Sequence, residues 1–202
     1  QYVVNEGKMN LVGRDVLAVN QQGHTYSGDT PVSVFANKGE ITGLNDLTTS
    51  GYTSMRQTVF AFLESGNTPG REQIFDNTAS GKIELRAPES IVYNIGSNYD
   101  RVHSASFFNS GSIKMYGLKN VGVYTAGAYT GYSPSAGLAK PGRIVFDTPI
   151  EILGDQSIGI DLERPINGAQ SKINLKIGGE GNSYSGNAGS GYDPSLVEES
   201  TG

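Results

Sequence analysis

Apolar residues alternate with polar ones in short bursts that follow a recurring glycine. Met9 and Leu11, Ile83 and Leu85, Ile113 and Met115, Ile144 and Phe146, and Ile173 with Leu175 and Ile177 all keep this spacing. A period of two puts alternate side chains on one face of an extended chain, so each burst predicts a strand with one buried face. A second alternating segment follows: Val16 and Ala18, Val59 and Ala61, Ile91 and Tyr93, Val121 and Val123, Ile158 and Ile160. A third, weaker one precedes the next glycine: Val3, Val34 with Phe35, Ile74 with Phe75, Phe107 with Phe108, and Leu138. The pattern predicts three short strands in every ~30 residues, each too small to bury its apolar face alone.

The glycine belongs to a phrase that recurs without being copied. It reads Asn5-Glu6-Gly7, Asn37-Lys38-Gly39, Asn77 leading into Gly81, Asn109-Ser110-Gly111, and Pro141-Gly142. Asn and Gly both tolerate positive φ, so these residues are expected to turn the chain between two faces of a repeat. Asn5, Asn37, Asn77 and Asn109 are also placed to hydrogen-bond amide to amide along a stack. The expected fold is all-β: a right-handed parallel β-helix, a solenoid of about six imperfect coils of ~30 residues with protruding loops, over residues 1–180. Residues 181–202, rich in Gly, Ser and Asn, read as a loop or flexible tail.

Length varies where the strands do not. Gly7, Gly39, Gly81, Gly111 and Gly142 lie 32, 42, 30 and 31 residues apart. Most of the extra chain follows the second alternating segment: Asn20 to Pro31, Glu64 to Gln73, Asn94 to Ser104, Thr125 to Ala136, and Asp161 to Asn167. Smaller insertions, Leu44 to Gln57 and Asp147 to Gln156, fall at another corner. Loops inserted at one point of a stacked repeat project from one side and make a continuous strip of irregular surface. The candidate partner-binding residues on that strip are His24, Tyr26, Tyr99, Asp100, Arg101, Tyr129 and Tyr132. Tyr offers contact area at low entropic cost and a hydrogen-bonding tip.

Composition narrows the choice further. Of 202 residues, 36% are apolar and only 17% charged, with 28 Gly and 11 Tyr, which suits many short strands joined by small-residue turns. A net charge of −5 without a basic run argues against nucleic acid. No apolar stretch of ~18 residues could span a bilayer as a helix. The chain starts inside a repeat without Met or a signal sequence, and reads as a mature product or an excised piece. With no Cys and two isolated histidines, His24 and His103, the sequence offers no metal-ligand spacing and no organised nucleophile. Asp147, Asp155, Asp161 and Glu163 are the carboxylates that could pair across a sugar, as polysaccharide hydrolases require, but nothing makes them converge. The expectation is a non-enzymatic chain without cofactor or metal.

The wording Asn120-Val121-Gly122-Val123-Tyr124 and Gln156-Ser157-Ile158-Gly159-Ile160, after each Gly-x-Ile strand, resembles the passenger regions of the very large autotransporter adhesins of fusobacteria. The similarity covers roughly residues 1–180 and is one of repeat style. It implies a β-helix on the bacterial surface, anchored in the longer protein by an outer-membrane barrel. It also implies binding to host glycans, host receptors or partner bacteria. A passive stalk that presents a distant binding tip, and a polysaccharide-degrading β-helix enzyme, are the alternatives.

Overall fold

The computed structural model describes residues 2–21, 33–44, 47–48, 51–52, 54–62, 72–96, 104–126, 142–162, 170–178, 183–186 and 197–199. These residues build three parallel sheets of short strands. Sheet one runs β1 (Tyr2–Asn5), β4 (Ser33–Asn37), β9 (Glu72–Asn77), β12 (Ser104–Asn109), β15 (Ile144–Phe146). Sheet two runs β2 (Lys8–Leu11), β5 (Glu40–Gly43), β10 (Lys82–Leu85), β13 (Ser112–Met115), β16 (Ile150–Ile152), β18 (Leu175–Ile177), β20 (Val197–Glu199). Sheet three runs β3 (Leu17–Gln21), β8 (Thr58–Phe62), β11 (Ile91–Gly96), β14 (Val121–Ala126), β17 (Ile158–Leu162), β19 (Ser183–Gly186). The chain visits the sheets in turn and pairs each strand with its counterpart one repeat later. Parallel pairing with almost no helix gives a β-helix-like solenoid. Inside the Leu44–Gln57 insertion, β6 (Leu47–Thr48) and β7 (Gly51–Tyr52) form a small antiparallel hairpin.

Stacking puts like residues on like. In sheet two, Met9, Ile41, Ile83, Ile113, Ile150 and Leu175 follow one another in register. From Ile41 onward this column is buried, whereas Met9 is only partly covered. In sheet one, Phe35 stacks on Phe75 with ring centres 5.6 Å apart, and Phe75 on Phe107 at 5.2 Å. Sheet three interleaves Phe60 and Tyr93, 5.2 Å apart and within 4.7–4.8 Å of Phe75 and Phe107 respectively. Offset aromatic stacking adds to the area these rings bury and fixes the sheets against each other. The first repeat is the exposed edge, with Tyr2 63% and Val12 59% accessible.

The amide stack forms as expected. Asn5 Nδ2 donates to Asn37 Oδ1, Asn37 to Asn77 and Asn77 to Asn109, each at 2.8 Å. The ladder then ends, with Asn109 Nδ2 donating to the Thr148 carbonyl at 2.8 Å. The expected positive φ is absent from these corners. Among the described residues only Gly13 has a positive-φ glycine backbone. Gly39, Gly81 and Gly111 are needed for closeness instead: an added Cβ would run into the Gly7, Asn37 and Gly81 carbonyl oxygens of the preceding repeat.

Three expectations need correction. Ile144–Phe146 belongs to sheet one, with Phe146 beside Asn109, and the counterpart of Ile113–Met115 is Ile150–Ile152. Gly142 is therefore not a member of the Asn-x-Gly corner; it lies against Ala105, whose carbonyl would meet any Cβ there. In sheet three, Ile91, Val121 and Ile158 are not core. They are partly exposed, and the neighbouring pairs Val92–Tyr93, Gly122–Val123 and Gly159–Ile160 are both buried, which breaks the period of two. Two of those pairs begin with glycine: a Cβ on Gly122 would stand 2.5 Å from the Gly159 carbonyl oxygen, and one on Gly159 would press on the Leu175 and Ile177 side chains at 2.9 and 3.0 Å. Finally, the stretch read as a loop or tail carries β19 and β20, which extend sheets three and two. Parallel pairing uses main-chain groups, so a Gly- and Ser-rich segment can supply a strand.

Candidate binding surface

The five main insertions share one origin. The strands of sheet three end in register at that corner, with Gln21 beside Phe62, Phe62 beside Ile95, Ile95 beside Thr125 and Thr125 beside Leu162. The chain re-enters at the start of sheet one, where Ser33 pairs with Gln73 and Glu72 with Ser104. The expected strip of insertions thus begins and ends on adjacent edges of the stack. His24, Tyr26, Tyr99, Asp100, Arg101, Tyr129 and Tyr132 themselves lie outside the described residues.

At the opposite end of sheet three is a corner that sequence reasoning did not find. Asp15, Arg56, Glu89, Lys119 and Gln156 occupy one column and all have φ between 52 and 56°. L-residues avoid this left-handed region, so something must hold them there. Interstrand bonds do: the amides of Arg56, Glu89 and Lys119 donate to Pro88, Leu118 and Asp155 carbonyls at 2.8–2.9 Å. After Asp15 comes the partly buried Val16, but in the four later repeats the next residue is polar and fully buried: Gln57, Ser90, Asn120 and Ser157. Gln57 N donates to Ser90 Oγ at 3.1 Å, Ser90 N to Asn120 Oδ1 at 2.8 Å, and Asn120 N to Ser157 Oγ at 3.0 Å. A polar residue immediately before β8, β11, β14 and β17 was the available signal.

The left-handed column alternates in sign. Arg56 reaches back to Asp15 with both Nε and Nη2, at 2.6 and 2.9 Å. That fork lowers the Asp15 carboxyl below its ordinary range and raises the Arg56 guanidinium above its own. Glu89 follows beyond Arg56, then Lys119. Between this column and the insertion corner, the outer face of sheet three holds a shallow groove of about 340 Å³. It is lined by Leu17, Thr58, Ile91 and Asn94, with Arg56 and Glu89 on its charged side. The Asn94 side-chain oxygen has no hydrogen-bond partner.

Sheet two is different outside. Glu84, Lys114, Glu151 and Lys176 stand in register, and the acids there are paired. Glu151 meets Lys114 at 3.4 Å and Lys176 at 3.6 Å, Glu84 meets Arg86 at 2.6 Å, and Glu40 meets Lys8 at 2.9 Å. The Lys8 hydrogen bond lowers the Glu40 carboxyl.

The carboxylates weighed for sugar chemistry are not brought together. Asp147 pairs with Lys172 at 3.4 Å near the end of the Asn ladder. Asp155 sits at the left-handed corner and Asp161 near the far end of sheet three, beside Tyr124, while Glu163 lies outside the described residues. No group of three or more His, Asp or Glu side chains suited to a metal occurs among the described residues. No helix there is long and apolar enough to cross a membrane. Compared with protein-family models, curated proteins and solved structures, the chain finds no match.

Proposed function

We propose that this chain is a non-enzymatic binding segment of a bacterial surface adhesin. In this reading it is a piece of an autotransporter passenger, built as a right-handed parallel β-helix of about six coils. The observation that carries it is the common origin of the five insertions: strands stay short and stack in register while one corner accepts chain of different lengths. A scaffold under no demand at that corner would have no reason to gather most of its extra chain there. The partners are host glycans, protein receptors or other bacteria, and no cofactor takes part. The 202-residue chain should bind partner cells saturably, and a variant with all five insertions shortened should lose that binding while keeping its β-sheet circular dichroism. Undiminished binding by the shortened variant would overturn the reading.

A passive spacer is the second reading, and the ladders favour it. Asn amides, buried Gln/Ser/Asn side chains and alternating charges tie each repeat to the next, which stiffens the stack along its axis. Absence of saturable binding by the intact chain to any partner cell would select this reading.

A further inference from the structure

We infer that the groove on sheet three takes a lysine or arginine side chain carried by an extended segment of a protein partner. The inference rests on the binding-segment reading and adds, beside the insertion corner, a second contact surface with a specific ligand chemistry.

Shape and lining come first. At about 340 Å³ the groove has room for a long side chain and part of its backbone, but it is open rather than enclosed. Val16, Leu17, Thr58 and Ile91 supply methyl and methylene surface along it. Lys and Arg are the charged side chains with apolar stems long enough to cover such a surface while the charged head stays at the rim.

Charge decides the sign. The rim carries two carboxylates, Asp15 and Glu89, against one guanidinium, Arg56. Arg56 is already held by Asp15 through two hydrogen bonds. Glu89 makes no salt bridge among the described residues; its own column neighbour Lys119 is not part of the groove lining. An incoming ammonium or guanidinium finds the Glu89 carboxylate at the rim of an aliphatic floor. An acidic ligand would meet two carboxylates and an occupied arginine. The acids Glu40, Glu84 and Glu151 on sheet two are paired internally, so that face offers no equivalent demand. The net charge of −5 also favours encounter with a cationic segment.

The test uses the full chain and three capped pentapeptides: Val-Lys-Val-Lys-Val, its glutamate counterpart, and its norleucine counterpart, which keeps the stem without the ammonium. Calorimetric titration should show the lysine peptide binding and the other two failing to compete for it. Glu89→Gln should weaken lysine-peptide binding about tenfold, and Glu84→Gln, the same charge change outside the groove, should alter it by less than about twofold. Glu89→Gln is compatible with the fold because Gln156 already holds the same column position at φ 54°. Equal losses in both variants would reduce the effect to net charge and overturn the inference, as would a lysine peptide that binds no better than its glutamate counterpart. The variant with shortened insertions, by contrast, should keep peptide binding while losing partner cells, so the two readings fail separately.

Discussion

Asn37 donates its side-chain amide to Asn77 at 2.8 Å although forty residues of chain separate them. Both are fully buried, and Asn77 passes the same bond on to Asn109. Removing a member from the middle leaves a donor on one side and an acceptor on the other without partners in a dry environment. Asn77→Ala should therefore cost about 2–4 kcal/mol, and Asn5→Ala, at the open end with one ladder neighbour, about 1 kcal/mol. Urea unfolding monitored by circular dichroism measures both. Equal losses at the two positions would show that the ladder does not act as a connected unit.

The same corner separates two glycines that look alike in sequence. Gly7 and Gly39 each sit two residues after the ladder Asn, and neither has a positive φ. A Cβ on Gly7 meets nothing closer than Asn5 Oδ1 at 3.9 Å, whereas on Gly39 it falls onto the Gly7 main chain. Gly7→Ala should be neutral or stabilise by up to about 1 kcal/mol, through the lower entropy of the unfolded chain. Gly39→Ala should destabilise by about 2–3 kcal/mol by pushing two repeats apart. Thermal unfolding of the pair gives the comparison directly, and similar midpoints would remove close approach as the reason for these glycines.

Period-two alternation and a thirty-residue phrase were enough to anticipate parallel stacking, the phenylalanine and isoleucine columns, and the Asn ladder. They could not say which sheet a strand joins. Ile144-Val145-Phe146 follows a glycine as Ile113-Lys114-Met115 does, and only the pairing of Phe146 with Asn109 reveals that it belongs one strand earlier. Left-handed residues were hidden because Asp15, Arg56, Glu89, Lys119 and Gln156 lack the Gly or Asn identity that normally marks that backbone. Their conformation is imposed by bonds to the next repeat, which is tertiary information. The groove was invisible for a related reason: its lining comes from three different repeats, and no local window contains it. The insertion corner was legible because it needs only lengths counted against a fixed repeat.

Charge order along sheet two should be measurable as salt-sensitive stability. Lys114 stands between Glu84 and Glu151, and Glu151 also contacts Lys176. Lys114→Glu places three carboxylates in consecutive strands, with directly opposed like charges. Because these side chains are partly solvated, the expected loss is only on the order of 1 kcal/mol, and raised salt should recover much of it. Lys114→Gln should lose less and respond less to salt. Denaturation midpoints at low and high sodium chloride test this, and a salt-independent loss in Lys114→Glu would assign the effect to packing.

Asp76 gives the pH response an opposite sign from the paired acids. It lies on sheet one between Ala36 and Phe108, half-buried, and this desolvation raises its carboxyl above the ordinary aspartate range. A folded-state value above the unfolded one means that the native chain holds the proton longer. The contribution of Asp76 to stability is therefore greatest in acid and declines as pH rises through the ordinary range of about 4, levelling off once the folded group has ionised. Asp15 and Glu40, held low by Arg56 and Lys8, contribute above that range and lose their contribution on acidification. Asp76→Asn has no proton to lose, so it should be more stable than the parent at pH 7, with the gap closing below about pH 4. Urea midpoints of the two proteins between pH 3 and 7 give the difference curve. A gap that stays constant over that range would show that replacing the carboxylate changes packing rather than the cost of its charge.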